Sequence, residues 1–181
     1  MTFTTAPLSG AYTIDLEPFS DERGWFARFY CKNEFAQIGH TKEWVQLNQS
    51  VSYHKGTLRG MHFQYAPYRE TKMVRCIIGA VYDVIIDLRA DSPTFLKWFG
   101  TELSAENNRM LYIPEGFAHG FQTLSDNSAL IYHHTEFYTP GSEGGLRYDD
   151  PAFSIQWPLP VTAISARDAQ HPLVDKNFKG I

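Results

Sequence analysis

The stretch TLRGMHFQ, residues 57–64, places one histidine, His62, in a run that otherwise reads as β-strand. Arg59 stands three residues before it and Gln64 two after. An imidazole there suits a buried metal ligand or a base inside a β-barrel; the other reading is an ordinary surface or hydrogen-bonded histidine. Two later stretches carry groups of the same kind: PEGFAH (114–119) ends in His119, and ALIYHHTEFY (129–138) contains Tyr132. Side chains alternate along a strand, so Lys72, Val74, Cys76 and Ile78 share one face, and Leu130, Tyr132 and His134 share another. Each group also has a plain structural role. Tyr132 suits a core aromatic, His119 a partner for a backbone carbonyl, Arg59 a weak surface ion pair, and Asp168 a helix cap or turn.

The elements that must position these groups are mostly strands. Strand character is expected at 11–17, at 44–53, at 109–114, 117–125 and 129–138, and in the aromatic segment that follows a turn within 21–30. KNEFAQIG (32–39) reads as a short helix stopped by Gly39. In KMVRCIIGAVYDVIIDLR (72–89) two β-branched runs flank Gly79-Ala80, which predicts a tight hairpin. Short strands at close spacing with few helices predict an all-β sandwich or barrel. No linker, repeat or low-complexity block divides residues 1–181, which read as a single domain whose last stretch, 165–181, holds a short helix against the body.

Composition narrows the function. The 181 residues are 43% hydrophobic and 20% charged, with aromatics at 15%. Sixteen basic against twenty acidic residues give a net charge of −4. That balance supplies no basic stripe for a nucleic-acid backbone, so no nucleic-acid partner is expected. No apolar run is long enough to span a membrane, no secretory leader is evident, and Cys31 and Cys76 match neither a disulfide framework nor a zinc spacing. A soluble cytoplasmic protein is expected, with no membrane partner.

Two motifs resemble in part those of the cupin barrels. Gly56 is followed by five residues and His62, but Gln64 stands where a second histidine belongs; the second motif reads Pro114, Gly116, His119. A metal cupin needs two or three imidazoles and a carboxylate around one ion. Gln64 is a poor ligand and Glu70 lies off the expected spacing, so no metal is expected, and the histidines become candidates for proton transfer.

A closer resemblance runs from about residue 15 to 172: FSDERGWFARFY, WVQLNQSVS, TLRGMHFQ, KMVRCIIGAVYDVIIDLRADSPTF, ELSAENNRMLYIPEGFAHGF, YDDPAFSIQWP and ISARD, in that order. Together they resemble the dTDP-4-dehydrorhamnose 3,5-epimerase family of nucleotide-sugar isomerases. The resemblance implies a small cupin-type jelly roll, a homodimer with N-terminal strands exchanged, and inversion of C3 and C5 in a dTDP-linked (or other nucleoside-diphosphate) 4-keto-6-deoxyhexose, in L-rhamnose or related deoxysugar biosynthesis. Hydrogens flanking a ketone are acidic, so the reaction needs a base, an acid across the ring and a polar group at O4, with no cofactor. By resemblance His62 is the base, Asp168 its carboxylate partner, Tyr132 the acid, and Lys72 the group near the enolate oxygen. Arg59 and His119 surround them; Arg23, Phe26, Gln46, Asn48 and Tyr138 line the ligand, with Arg23 reaching the neighbouring subunit's site.

Some positions depart from the family pattern. His133 replaces a common lysine, Arg28 an acidic residue and Phe137 a tyrosine, all expected to flank the pocket. The alternatives are an epimerase acting on C3 only, a metal-dependent cupin dioxygenase, and a sugar-binding cupin without catalysis.

Overall fold

The computed structural model describes residues 1–175 and 177–181. Two β-sheets lie face to face. The first is six-stranded, in the order β1 (Thr2–Thr5), β2 (Tyr12–Asp15), β10 (Met110–Ile113), β7 (Lys72–Ile78), β12 (Ser128–His134), β5 (Gln46–Ser52). The second runs β13 (Glu143–Gly145), β6 (Thr57–Gln64), β11 (Phe117–Thr123), β8 (Ala80–Asp87), β9 (Trp98–Ser104), with β14 (Ala163–Ile164) added in parallel to β6. A separate hairpin, β3 (Phe19–Asp21) and β4 (Gly24–Phe26), pairs only with itself. This is the cupin-type jelly roll expected from the sequence.

Alternation along the strands sorts the apolar side chains into three layers. Between the sheets lie Val74, Cys76, Leu111, Ile113 and Leu130 from the first, facing Val81, Ile85, Leu103, Phe117 and Phe121 from the second. The outer face of the second sheet, with Met61, Val84 and Ile86, is covered by the C-terminal segment through Phe153, Trp157 and Phe178. The outer face of the first sheet, with Ile14, Met73 and Met110, is covered by Phe35 of α1 (Lys32–Phe35). α1 passes into a short 3-10 turn and stops at Gly39, whose φ of 80° is left-handed, as the sequence predicts. The short C-terminal helix is α2 (Ala166–Ala169), which packs against β6.

The hairpin expected at Gly79-Ala80 does not form. β7 pairs with β10 and β12, whereas β8 pairs with β11 and β9, so the chain crosses from one sheet to the other at Gly79. Gly79 has φ of +71°, and a Cβ there would fall 2.4 Å from the Ser125 hydroxyl. The corner is too crowded for a side chain, and a glycine serves a crossover as well as a tight turn. The aromatic strand expected within 21–30 is also shorter, ending at Phe26. β1 pairs with β2 and β2 with β10, at one edge of the first sheet, while β3 and β4 pair with each other.

Candidate active site

A cavity of about 600 Å³ opens between the sheets. A second hollow of about 580 Å³ shares Asn48, His62, Lys72, His134 and Arg167 with it, so the two form one continuous cleft. His62 enters from β6, with Met61 and Phe63 turned the other way into the outer apolar layer. His119 lies beside it in the antiparallel register of β11 and β6, which slips between His119 and Phe121. At that slip Gly60 (φ +126°) faces Gly120, and a Cβ on Gly60 would come within 2.5 Å of the Gly120 Cα. The two glycines let the strands approach closely enough to aim both imidazoles inward.

Asp168 arrives from α2. Its backbone N–H donates to the Ser165 hydroxyl, which caps the helix. One carboxylate oxygen is 2.9 Å from His62 Nε2; the other accepts from the Gly60 N–H at 3.1 Å. Burial acts to raise the Asp168 pKa, but the hydrogen bonds from His62 and Gly60 outweigh it and hold it at about 2. Asp168 is therefore an acceptor at neutral pH, so in the neutral tautomer of His62 the proton sits on Nε2 and the lone pair on Nδ1.

Tyr132 stands on the facing sheet, on β12. Its hydroxyl is 2.9 Å from that of Ser50. Burial pushes the phenol pKa well above its usual range; the Ser50 hydrogen bond opposes the rise and the Asp83 carboxylate adds to it. Tyr132 is thus a held, protonated phenol. Lys72 is buried and paired at 2.9 Å with Glu70, which also accepts from His134 Nδ1 at 2.6 Å. Burial would raise Glu70, but the Lys72 charge and the His134 hydrogen bond bring it down to about 2.

Of the remaining residues singled out in the sequence, Asn48, Arg59 and His119 line the first cavity, and Gln46 and Tyr138 line the second hollow. Arg59 donates to the Ser52 hydroxyl and the Val51 carbonyl, which fixes its guanidinium at the cavity wall. The Tyr138 hydroxyl donates to Glu143, which also pairs with Arg167. Arg23 and Phe26 are not brought to this cleft. They sit on the exposed β3–β4 hairpin, where Arg23 pairs with Asp21. His133 does not flank the pocket either: strand alternation turns it outward from Tyr132, against Phe29 and Trp44. Arg28 pairs with Glu34, and Phe137 is exposed.

The cupin ligand positions do not fit a metal ion. Gln64 spends its amide donating to the Tyr68 and Phe137 carbonyls and accepting from the Thr139 N–H. His119 Nε2 is 2.9 Å from both oxygens of Asp83, and Glu70 is committed to Lys72 and His134.

Several site residues escaped the sequence reading. Asp83, Ser50, Glu143 and Arg167 all contact or line the cleft, as does Glu70, which the sequence reading weighed only as a metal ligand. Only Asp83 carried a usable signal: it shares strand parity with Val81 and Ile85, and so is an acid on an apolar face.

The sequence profile of one family, described as dTDP-4-dehydrorhamnose 3,5-epimerase, matches residues 5–176. The chain is 48% identical over 165 residues to the dTDP-4-dehydrorhamnose 3,5-epimerase of Salmonella typhimurium, covering 89% of this chain and 90% of that protein. It is 40% identical over 162 residues to the dTDP-4-dehydrorhamnose 3-epimerase of Streptomyces niveus, covering 89% and 78%. Its structure resembles the Legionella pneumophila 3,5-epimerase solved in complex with dTDP-4-keto-L-rhamnose, with a TM-score of 0.90, 38% identity, and coverage of 95% of this chain and 92% of that one.

Proposed function

Since the chain belongs to the dTDP-4-dehydrorhamnose 3,5-epimerase family, we propose that it inverts C3 and C5 of a dTDP-4-keto-6-deoxyhexose, on the route to L-rhamnose or a related deoxysugar. One observation carries this reading: an oriented imidazole and a half-buried tyrosine, its phenol held protonated, are mounted on opposite sheets of the same cavity.

The chemistry follows from that placement. His62 Nδ1 takes the proton from a carbon beside the C4 ketone, and Asp168 steadies the imidazolium that results. The electron pair moves into an enolate, whose oxygen the Lys72 ammonium stabilises. Tyr132 then delivers a proton to the carbon from the other face, which inverts it. A phenol with a raised pKa is still a far stronger acid than a C–H bond, so burial does not prevent this step. It keeps the hydroxyl protonated until the enolate forms.

The nucleotide half of the substrate follows the cleft outward. Arg59 and Arg167 supply guanidinium groups for the diphosphate. Tyr138, Gln46 and Asn48 offer a ring and amides for the base and sugar. The β3–β4 hairpin reaches across a homodimer so that Arg23 and Phe26 complete the partner's cleft. Phe19, Trp25 and Phe26 on this hairpin are exposed, as a segment seated on a second copy requires.

The test is incubation with dTDP-4-keto-6-deoxyglucose in D2O. Deuterium at both C3 and C5 is expected. Deuterium at C3 alone selects the second reading, a 3-epimerase, which similarity to the Streptomyces niveus enzyme favours. Deuterium at neither carbon overturns both.

A further inference from the structure

On the side of the His62–Asp168 pair away from the cavity stands a second imidazole, His171. Its ring packs edge-on against His62, with centroids 5.8 Å apart. Its Nε2 is buried and, among the described residues, has no hydrogen-bond partner. That nitrogen is 3.8 Å from the same Asp168 oxygen that His62 engages, too far for a hydrogen bond. A buried, unpaired ring nitrogen aimed at an occupied carboxylate is a costly arrangement. The fold makes room for it at Gly145, where a Cβ would fall 2.3 Å from the His171 ring.

We propose that His62, Asp168 and His171 form an inhibitory binding site for a divalent transition-metal ion of the zinc or cobalt class. Their three donor atoms lie within 4.8 Å of one another. Two imidazoles and a carboxylate are a donor set that such ions favour. A tetrahedral ion spaces its ligand atoms about 3.4 Å apart, so the 2.9 Å and 3.8 Å separations found here bracket the required value. Small side-chain rotations bring the set to coordination distance. Burial, first of all, keeps His171 below its ordinary pKa, and the Asp168 carboxylate is held well below the usual range. The nearby Arg167 guanidinium is paired with Glu143. His62 and Asp168 line the cleft, which gives the ion an entry path.

The consequence lies in the tautomer. Metal on His62 Nε2 displaces the proton held there, and neutral imidazole then keeps its single N–H at Nδ1. The base loses its lone pair, with no net change in the ring's proton count. Only this inhibitory consequence rests on the proposed epimerase chemistry; binding does not.

The binding arm titrates the substrate-free full chain with Co2+, read by visible ligand-field bands, calorimetry and the imidazole 15N signals of His62 and His171. One ion per chain is expected, with both imidazole signals moving together. His171→Phe keeps a packed ring and removes the donor; its affinity is expected to fall at least about tenfold. The inhibition arm follows deuterium incorporation under Zn2+, each protein normalised to its own metal-free rate. Wild-type incorporation should stop as the site fills and return with a chelator, while the variant resists. No bound ion in the wild type, imidazole signals that do not move, or equal affinity in His171→Phe would overturn the site. Binding without inhibition would overturn its inhibitory role. Absence of any metal-free incorporation would count against the epimerase reading alone.

Discussion

His119 Nε2 lies 2.9 Å from both carboxylate oxygens of Asp83, and the His119 ring packs edge-on against Tyr132. Asp83 has no exposed surface, and burial raises its pKa against the pull of His119. Breaking a buried pair leaves one member without compensation, at a cost of about 3–5 kcal/mol. Asp83→Ala is therefore expected to lower stability by that order, while Asp83→Asn, which still offers His119 an acceptor, loses less. Denaturant midpoints for the two variants check this. Equal losses would mean that the pair contributes packing and no specific contact.

Replacing the base and the acid should separate exchange from inversion. If His62 is the base proposed above, His62→Asn removes the proton-abstracting group, and deuterium uptake and inversion should fall together, by about 10²–10⁴-fold. Tyr132→Phe keeps the base and removes only the donor on the far face. His62 can still exchange its captured proton with solvent and return it to the same face. Deuterium without inverted product is therefore expected from Tyr132→Phe. Equal loss of both signals would show that Tyr132 is needed before the enolate forms.

Acid should destabilise the fold in a defined window. Asp168 is held at about 2 against an ordinary 3.8, and Glu70 at about 2 against 4.5. Both folded pKa values are depressed. Their stabilisation is complete above the unfolded values and is lost as pH falls from about 4.5 toward 2. The shifts correspond to about 2.5 kcal/mol for Asp168 and about 3.5 kcal/mol for Glu70. Stability measured against pH should decline through this range, and Glu70→Gln should flatten its upper part. A profile unchanged by Glu70→Gln would show that the Lys72–Glu70–His134 contacts are not coupled to folding.

The reach of the sequence can be judged residue by residue. Parity alone put Lys72 on the face of Val74 and Cys76, and Tyr132 and His134 on that of Leu130, but it left open whether Lys72 points inward or forms the wet end of its strand. The close approach of Asp168 to His62 spans 106 positions and could come only through resemblance to a family. Glu70 precedes its strand, and His171 follows a four-residue helix, so no periodicity marks either. The error at Gly79 has a similar origin. A glycine between two apolar runs fixes a sharp change of direction, but not whether the second run returns beside the first or crosses to the opposite sheet. His133 was misplaced by adjacency: neighbours along a strand face opposite ways.

The β3–β4 hairpin carries the last prediction. Arg23 is among the most exposed side chains, and its contact with Asp21 is local to the hairpin. Arg23→Ala should therefore leave the melting temperature unchanged. If the hairpin completes the partner's cleft, the variant should bind nucleotide sugar more weakly, with a raised KM. Complementation supplies a sharper readout. In a mixed dimer of Arg23→Ala and His62→Asn chains, one site carries both defects and the other carries neither. At substrate concentrations too low for Arg23→Ala to turn over appreciably, random reassociation of equal amounts should restore about a quarter of wild-type sites. No recovery in mixtures that sedimentation shows to be dimeric would place Arg23 in its own chain's cleft, or in neither.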